Sequence, residues 1–299
     1  MGGCCSRRII EQDDNKFRYI DGRRYHNISD SEYMIPNDDE EAYRLMRYHE
    51  AIKDIWGGLF NSPIEEKLRQ GARVIDIGCG TGTWILDMAK QYPKSHFIGV
   101  DLSPIFPSEG FPVNVNFIEY NLLDGLPFED LHFDFVHQKF LISAFTESQW
   151  KEKVIPELIR ITQADGWIEL LEADSGFVSK MSTTKRICDA FKTVLTSKGI
   201  NIKIGEILPS LLESTNAFSE VRYQKKSILL GKRGGQNGEE TFKFVSSALK
   251  PTRGWLPAMI DIMPEHFDAL LEIFTIEVEQ NDTFLNQHRI CGHKHNDNI

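Results

Sequence analysis

Long apolar runs are missing from this chain of 299 residues: no stretch of eighteen apolar residues occurs, so the sequence offers no candidate for a membrane-spanning helix. The first residues carry no apolar core of a secretory signal, which leaves the expectation of an intracellular, cytoplasmic protein. Cysteine is scarce. Cys4, Cys5, Cys79, Cys188 and Cys291 are odd in number and scattered apart from one adjacent pair, which fits neither a disulfide framework nor a zinc spacing. Positive charge is also short. With 34 basic residues against 44 acidic ones the formal net charge is −10, and such a field repels polyanions, so nucleic acid is an unlikely substrate. Internal repeats and low-complexity tracts are absent. His288, His293 and His295 read as part of a polar tail without spaced partner acids, so no metal is expected.

What is present is ordinary for a globular chain: 41% apolar and 26% charged residues, in a length that suits one α/β core with additions. Residues 1–30 are polar and lack apolar periodicity, which reads as a flexible tail. From Asn37 the pattern changes. Asn37 and Glu40 suggest a capping box, and Ala42, Leu45, Met46, His49, Ile52, Trp56 and Leu59 recur at helical spacing. Ser62, Pro63 and Glu65 suggest the start of a short second helix that Gly71 ends.

From Arg73 to Asp174 apolar runs of strand length alternate with helical patterns, the signature of βαβ units on a parallel sheet. Strands are expected at Arg73–Ile77, His96–Asp101, Val115–Tyr120, Phe133–Gln138 and Trp167–Glu172. Helices are expected at Thr83–Gln91 and Thr146–Ile161, the second interrupted at Pro156. Further on, the periodicity predicts a helix over Thr183–Ser197 capped by Gly199, and a strand over Val221–Leu230 running into a glycine-rich turn, Gly231–Gly238. A helix opening at Pro264 and a last strand within Thr283–Gly292 follow.

The strongest local signal is the strand Val74-Ile75-Asp76-Ile77 running into Gly78-Cys79-Gly80-Thr81-Gly82 and then a helix. Glycines let the backbone turn sharply and approach a ligand, while the helix N-terminus offers unpaired N–H groups to a phosphate or a carboxylate. The loop is open to three readings: a tight turn without a ligand, a dinucleotide site, or a methionine-type cofactor site. A dinucleotide fold wants its third glycine where Thr83 stands. Asp101 ends the next apolar strand, followed by Leu102, and an acid there can accept hydrogen bonds from both hydroxyls of a ribose.

Asp76-x-Gly78-x-Gly80-x-Gly82 resembles the first motif of class I methyltransferases. Over most of the chain the resemblance narrows to the LaeA-like group of fungal methyltransferases. It runs through Tyr33-Met34-Ile35-Pro36-Asn37-Asp38-Asp39-Glu40-Glu41, Gly125-Leu126-Pro127-Phe128, Phe133-Asp134-Phe135-Val136-His137-Gln138 and Glu157-Leu158-Ile159-Arg160. Asp165-Gly166-Trp167-Ile168-Glu169-Leu170-Leu171-Glu172, Gly231-Lys232 and Gly292-His293-Lys294 continue it.

The resemblance implies S-adenosyl-L-methionine as cofactor and a Rossmann-like α/β/α sandwich whose seven-stranded, mostly parallel sheet has the order 3-2-1-4-5-7-6. It implies that Asp76, Gly78, Cys79, Gly80, Thr81 and Gly82 receive the methionine part, Asp101 and Leu102 the ribose, and Asn121 and Leu122 the adenine. A methyltransferase domain would then cover 31–299, with a helical cap at 31–70, a cofactor-binding core at 71–175, and an acceptor side with the C-terminal strands at 176–299.

Methyl transfer is an in-line displacement that chiefly needs the acceptor lone pair held close and aligned, and a proton acceptor with a pKa near 7 helps a hydroxyl or ammonium acceptor. His137 ends the fourth strand and is the candidate base or, alternatively, a shelf under the cofactor. Gln138, Glu172 and Asp174 stand on adjacent strand ends. The acceptor is expected to be a small molecule or a protein side chain. Two rival readings remain: a LaeA-like regulator that binds cofactor and acts through protein partners, and an NAD-dependent oxidoreductase. Finally, Gly2 with Ser6 fits a myristoylation pattern, and Cys4 and Cys5 could take palmitate, which together suggest peripheral attachment to a membrane.

Overall fold

The computed structural model describes residues 17–20, 22–26 and 36–296. The lipidation candidates Gly2, Cys4 and Cys5 lie outside the described residues. Part of the segment assigned to a tail is ordered. β1 (Phe17–Ile20) and β2 (Arg23–His26) form an antiparallel hairpin. Arg24 O accepts from Asn37 N at 2.8 Å and Arg23 pairs with both oxygens of Asp38 at 2.5 and 2.8 Å, which ties the hairpin to the start of the next helix.

That helix is α1 (Asp39–Trp56), and its N-cap is Asp38, whose carboxylate accepts from Glu41 N; the capping box read at Asn37 is one residue early. Asn37 is buried instead, with its amide 3.5 Å from Ser103 Oγ. α2 (Glu65–Gln70) starts without a side-chain cap. Ser62, expected to cap it, instead donates from its hydroxyl to Glu169 Oε2 at 2.7 Å.

Next come β3 (Arg73–Ile77), α3 (Thr83–Gln91), β4 (His96–Asp101) and β5 (Val115–Glu119), then β6 (Phe133–Lys139). The helix expected over 146–161 is α4 (Glu147–Gln149), a π-helical turn at Trp150–Val154 and α5 (Ile155–Ile161). Pro156 falls in the first turn of α5, where its missing N–H is no loss, and the π turn ahead of it absorbs the interruption. β7 (Thr162–Ser179) is followed by α6 (Ser182–Ser197), α7 (Ile204–Ser214) and β8 (Phe218–Leu229). The chain closes with α8 (Gly235–Leu249), α9 (Leu256–Met259), α10 (Phe267–Gln280) and β9 (Thr283–Lys294).

Seven strands form one sheet in the order β5-β4-β3-β6-β7-β9-β8. Counted within the sheet this is 3-2-1-4-5-7-6, with β9 antiparallel to both its neighbours and the other pairs parallel. It is the Rossmann-like α/β/α sandwich. On one face Leu68 of α2 and Trp84, Ile85 and Met88 of α3 pack on Val74, Phe97 and Phe135; on the other, Leu158 of α5 and Ile204, Leu208 and Leu212 of α7 pack on Ile75, Val136 and Ile168. A third cluster, built from α6, α8, α9 and α10 with Leu285 of β9, stands beyond the sheet, and α1 packs against Leu171, Phe140 and Phe244. His288 and His293, read as tail residues, lie on β9, which is flanked on both sides; His288 is fully buried, its ring between Tyr223 Oη at 2.8 Å and Asp174 Oδ1 at 3.0 Å.

Candidate cofactor and active site

The carboxyl edge of β3 delivers the glycine loop. Gly78, Gly80 and Gly82 adopt φ of 66°, 54° and 71°, left-handed values that side chains rarely take. Their surroundings separate their tasks. A Cβ at Gly78 would strike Leu141 at 2.6 Å and one at Gly82 would strike Phe117 at 2.6 Å, so these two are fixed by packing. A Cβ at Gly80 would meet only Leu45, at 3.7 Å, because it points into a cavity of about 180 Å³.

Of the residues read as cofactor contacts, Asp76, Gly78, Cys79, Gly80, Thr81, Asp101, Leu102, Asn121 and Leu122 all line this cavity. Asp101 Oδ2 accepts from Gly80 N at 2.7 Å and Oδ1 from Ser103 N at 2.8 Å, so the acid also holds the glycine loop in place. Burial pushes its carboxyl up to about 6, against the pull of those N–H groups. A carboxylate on the cavity wall with acceptor capacity beyond these N–H groups suits hydroxyl donors. Asn121 Oδ1 accepts from Leu123 N at 3.1 Å and caps the 3-10 turn Leu122–Asp124, which leaves its amide N–H groups for a base.

Gly82 and His137 are not among the residues lining the cavity. The His137 ring is 1% exposed, stacks on Trp84 with centroids 3.7 Å apart and an interplanar angle of 2°, and donates from Nδ1 to Asp76 Oδ1 at 2.7 Å. It is placed to hold Asp76 from beneath. A ring so enclosed fits the shelf reading of His137 and not the reading as general base. β6 runs one residue further than expected, to Lys139, and it is Lys139, on the same face of the strand, that reaches the cavity. Lys139 Nζ lies 3.4 Å from His49 Nδ1, and His49 Nε2 lies 3.1 Å from Asp87 Oδ2.

Burial, with Lys139 nearby, lowers His49 to about 4, so its ring is neutral at pH 7. The sequence reading counted Leu45 and His49 in the helical period of α1 but took neither them nor Tyr48 as site residues; that period on the apolar face was the available signal. Glu172, considered as an edge carboxylate, is fully buried: it accepts from Gln138 Nε2 at 2.5 Å, Leu141 N at 2.8 Å and Ile142 N at 3.0 Å. Burial pushes it up to about 7. Its task is to fix the loop after β6.

A second cavity of about 240 Å³ adjoins the first and shares Pro36, Leu45, Tyr48 and Phe140 with it. Its walls carry the rings of Phe177, Phe191, Phe244 and Trp255. Asp174 also lines it, anchored by His288 and by Asn286 Nδ2 at 2.9 Å.

Residues 74–166, from β3 to the start of β7, match the family described as a methyltransferase domain. This stretch of the chain carries a methyltransferase domain. Similar proteins include an N-methyltransferase, verN, of Clonostachys rogersoniana, 36% identical over 48% of this chain and 51% of the relative. The methyltransferase str3 of Strobilurus tenacellus is 29% identical over 66% of this chain and 70% of its own. A secondary metabolism regulator, laeA, of Coprinopsis cinerea is 30% identical over 56% and 42%. The matched part of this chain thus spans between half and seven-tenths of the first two relatives. The solved phosphoethanolamine N-methyltransferase 2 of Haemonchus contortus, held with S-adenosylhomocysteine, is 16% identical with a TM-score of 0.49. In the methyltransferase domain the cavity residues fit the cofactor on two counts: the open space at Gly80 and the paired acceptor sites on Asp101.

Proposed function

We propose that the protein transfers a methyl group from S-adenosylmethionine to a small, largely apolar amine held in the second cavity. The observation that carries this reading is the shared wall of Pro36, Leu45, Tyr48 and Phe140, which sets an aromatic chamber directly against the cofactor cavity. When bound, the cofactor supplies a methyl group on a sulfonium sulfur.

The chain's own part is binding and alignment. The glycine loop accommodates the methionine portion, Asp76 receives its ammonium, and Asp101 takes the ribose hydroxyls. Asn121 and Leu122 face the adenine. Phe140 and Tyr48 form the boundary across which acceptor and methyl donor meet, and an apolar enclosure there keeps water from competing for the methyl group. Asp174 offers an anion among aromatic and aliphatic walls, where the one cation, Arg44, is paired with Glu41; anion and rings favour an amine, in line with the relative named as an N-methyltransferase. A regulator that only binds cofactor has no use for such a chamber.

The test is transfer of labelled methyl from S-adenosylmethionine to a panel of ring-bearing secondary and tertiary amines, with sugars and peptides as comparison. Incorporation into apolar amines alone is expected. Labelling of peptides only, or of none of the panel by protein that binds the cofactor, would overturn the acceptor assignment.

A further inference from the structure

Lys139 is a buried-edge ammonium with no carboxylate in direct contact. Its recorded polar contact is the His49 imidazole at 3.4 Å, and among the described residues no carboxylate pairs with it. It is also the one lysine or arginine among the described residues lining the cofactor cavity. An ammonium facing a neutral partner inside a cavity is poorly compensated and is stabilised by an incoming anion.

The cavity's acids are already accounted for. Glu41 is bound by Arg44, with Nε to Oε2 at 2.7 Å; Asp76 accepts from His137, and Asp101 from Gly80 and Ser103. S-adenosylmethionine and S-adenosylhomocysteine both end in an ammonium and a carboxylate. Asp76 gives the ammonium an acceptor; the carboxylate needs a cation. Resting on the cofactor reading above, we propose that Lys139 holds the α-carboxylate of the cofactor's methionine end, and that His49 and Asp87 position it there.

The supporting pair is directional. Asp87 is acceptor-only, so His49 carries its proton on Nε2 and presents the lone pair of Nδ1 to Lys139. Asp87 is itself anchored at the rim by Lys53 at 3.0 Å. An ammonium so held points one N–H at His49 and keeps two for a ligand.

Burial draws Lys139 down to about 8, with Arg289 adding to that pull while Asp76 and Asp87 oppose it. The groups acting on it are His49 from α1, Asp76 from β3, Asp87 from α3 and Arg289 from β9, while Glu41 and Tyr48 of α1 line the same cavity and His137 lies two residues before it on β6. A bound carboxylate favours the charged amine, so affinity is full below pH 8 and falls as Lys139 loses its proton above it.

The test is calorimetric titration of S-adenosylhomocysteine and of 5′-methylthioadenosine, which lacks the amino-acid end, into wild type, Lys139→Met and Lys139→Arg. Lys139→Met should lose on the order of 10- to 100-fold in affinity for S-adenosylhomocysteine and keep its affinity for methylthioadenosine, with Arg restoring most of the loss. Wild type should weaken from pH 7.5 to 9 more steeply than Lys139→Arg, by about three-fold or more, the arginine staying charged throughout. Equal losses for both ligands, or a methionine variant that binds S-adenosylhomocysteine like wild type, would overturn the assignment. Wild type that binds methylthioadenosine but not S-adenosylhomocysteine would do so too, while binding of neither removes the cofactor reading itself.

Discussion

His137 and Lys139 occupy the same face of β6, two residues apart, and their environments differ in kind. The histidine is sealed between Trp84 and Asp76, whereas the lysine reaches the cavity. Removing the imidazole leaves the Asp76 carboxylate, itself 3% exposed, without its hydrogen-bond donor. His137→Ala is therefore expected to lose ~1–3 kcal/mol of stability and to weaken cofactor binding together with turnover. Chemical denaturation alongside ligand titration reads both. A variant with wild-type stability and affinity but slow turnover would restore the general base. The sequence reading erred here by a single residue, because strand ends are set by local hydrogen bonds that apolar periodicity does not encode. With the strand ending at Gln138, His137 looked like an edge residue; with β6 ending at Lys139 it sits one pleat lower.

Among the elements, β3, α3 and β4 were legible to the residue, since buried parallel strands leave continuous apolar runs and the glycine loop marks the turn between them. Helix α8 was not. Its first residues, Gly235 to Gly238, read as the end of a turn because glycine costs a helix roughly 1 kcal/mol relative to alanine. Packing overrides that cost. Gly231 N donates to Gly238 O at 3.0 Å, and a Cβ on Gly238 would lie 2.3 Å from Leu229 O and 2.9 Å from Gly231 O, so the helix can approach the end of β8 only through a glycine. Gly238→Ala is thus expected to destabilise by about 2 kcal/mol or more in spite of its better helix propensity, measured by the denaturation midpoint. A stabilised variant would refute the close approach. α7 was missed for a similar reason: Pro209 lies inside it, and only its burial of Ile204, Leu208 and Leu212 on the sheet gives the pattern meaning.

At the scale of the molecule, a seven-stranded sheet presents one carboxyl edge, and α1 from one end of the chain and α6 and α8 from the other wall a chamber above it. Among the described residues no helix is long and apolar enough to cross a membrane. The topology followed from the family resemblance, and the chamber did not, because its walls come from segments nearly two hundred residues apart, such as Leu45 and Phe244. The central claim is that the cavity beside Gly80 takes the S-adenosyl cofactor. Its most direct test is titration of S-adenosylhomocysteine and NAD into wild type and Gly80→Val, with folding of the variant checked by circular dichroism. The account predicts micromolar binding of S-adenosylhomocysteine, none of NAD, and loss of binding in the variant, whose branched side chain would fill the open space at residue 80. A folded Gly80→Val protein that binds S-adenosylhomocysteine as wild type does, or a wild type that prefers NAD, would contradict it.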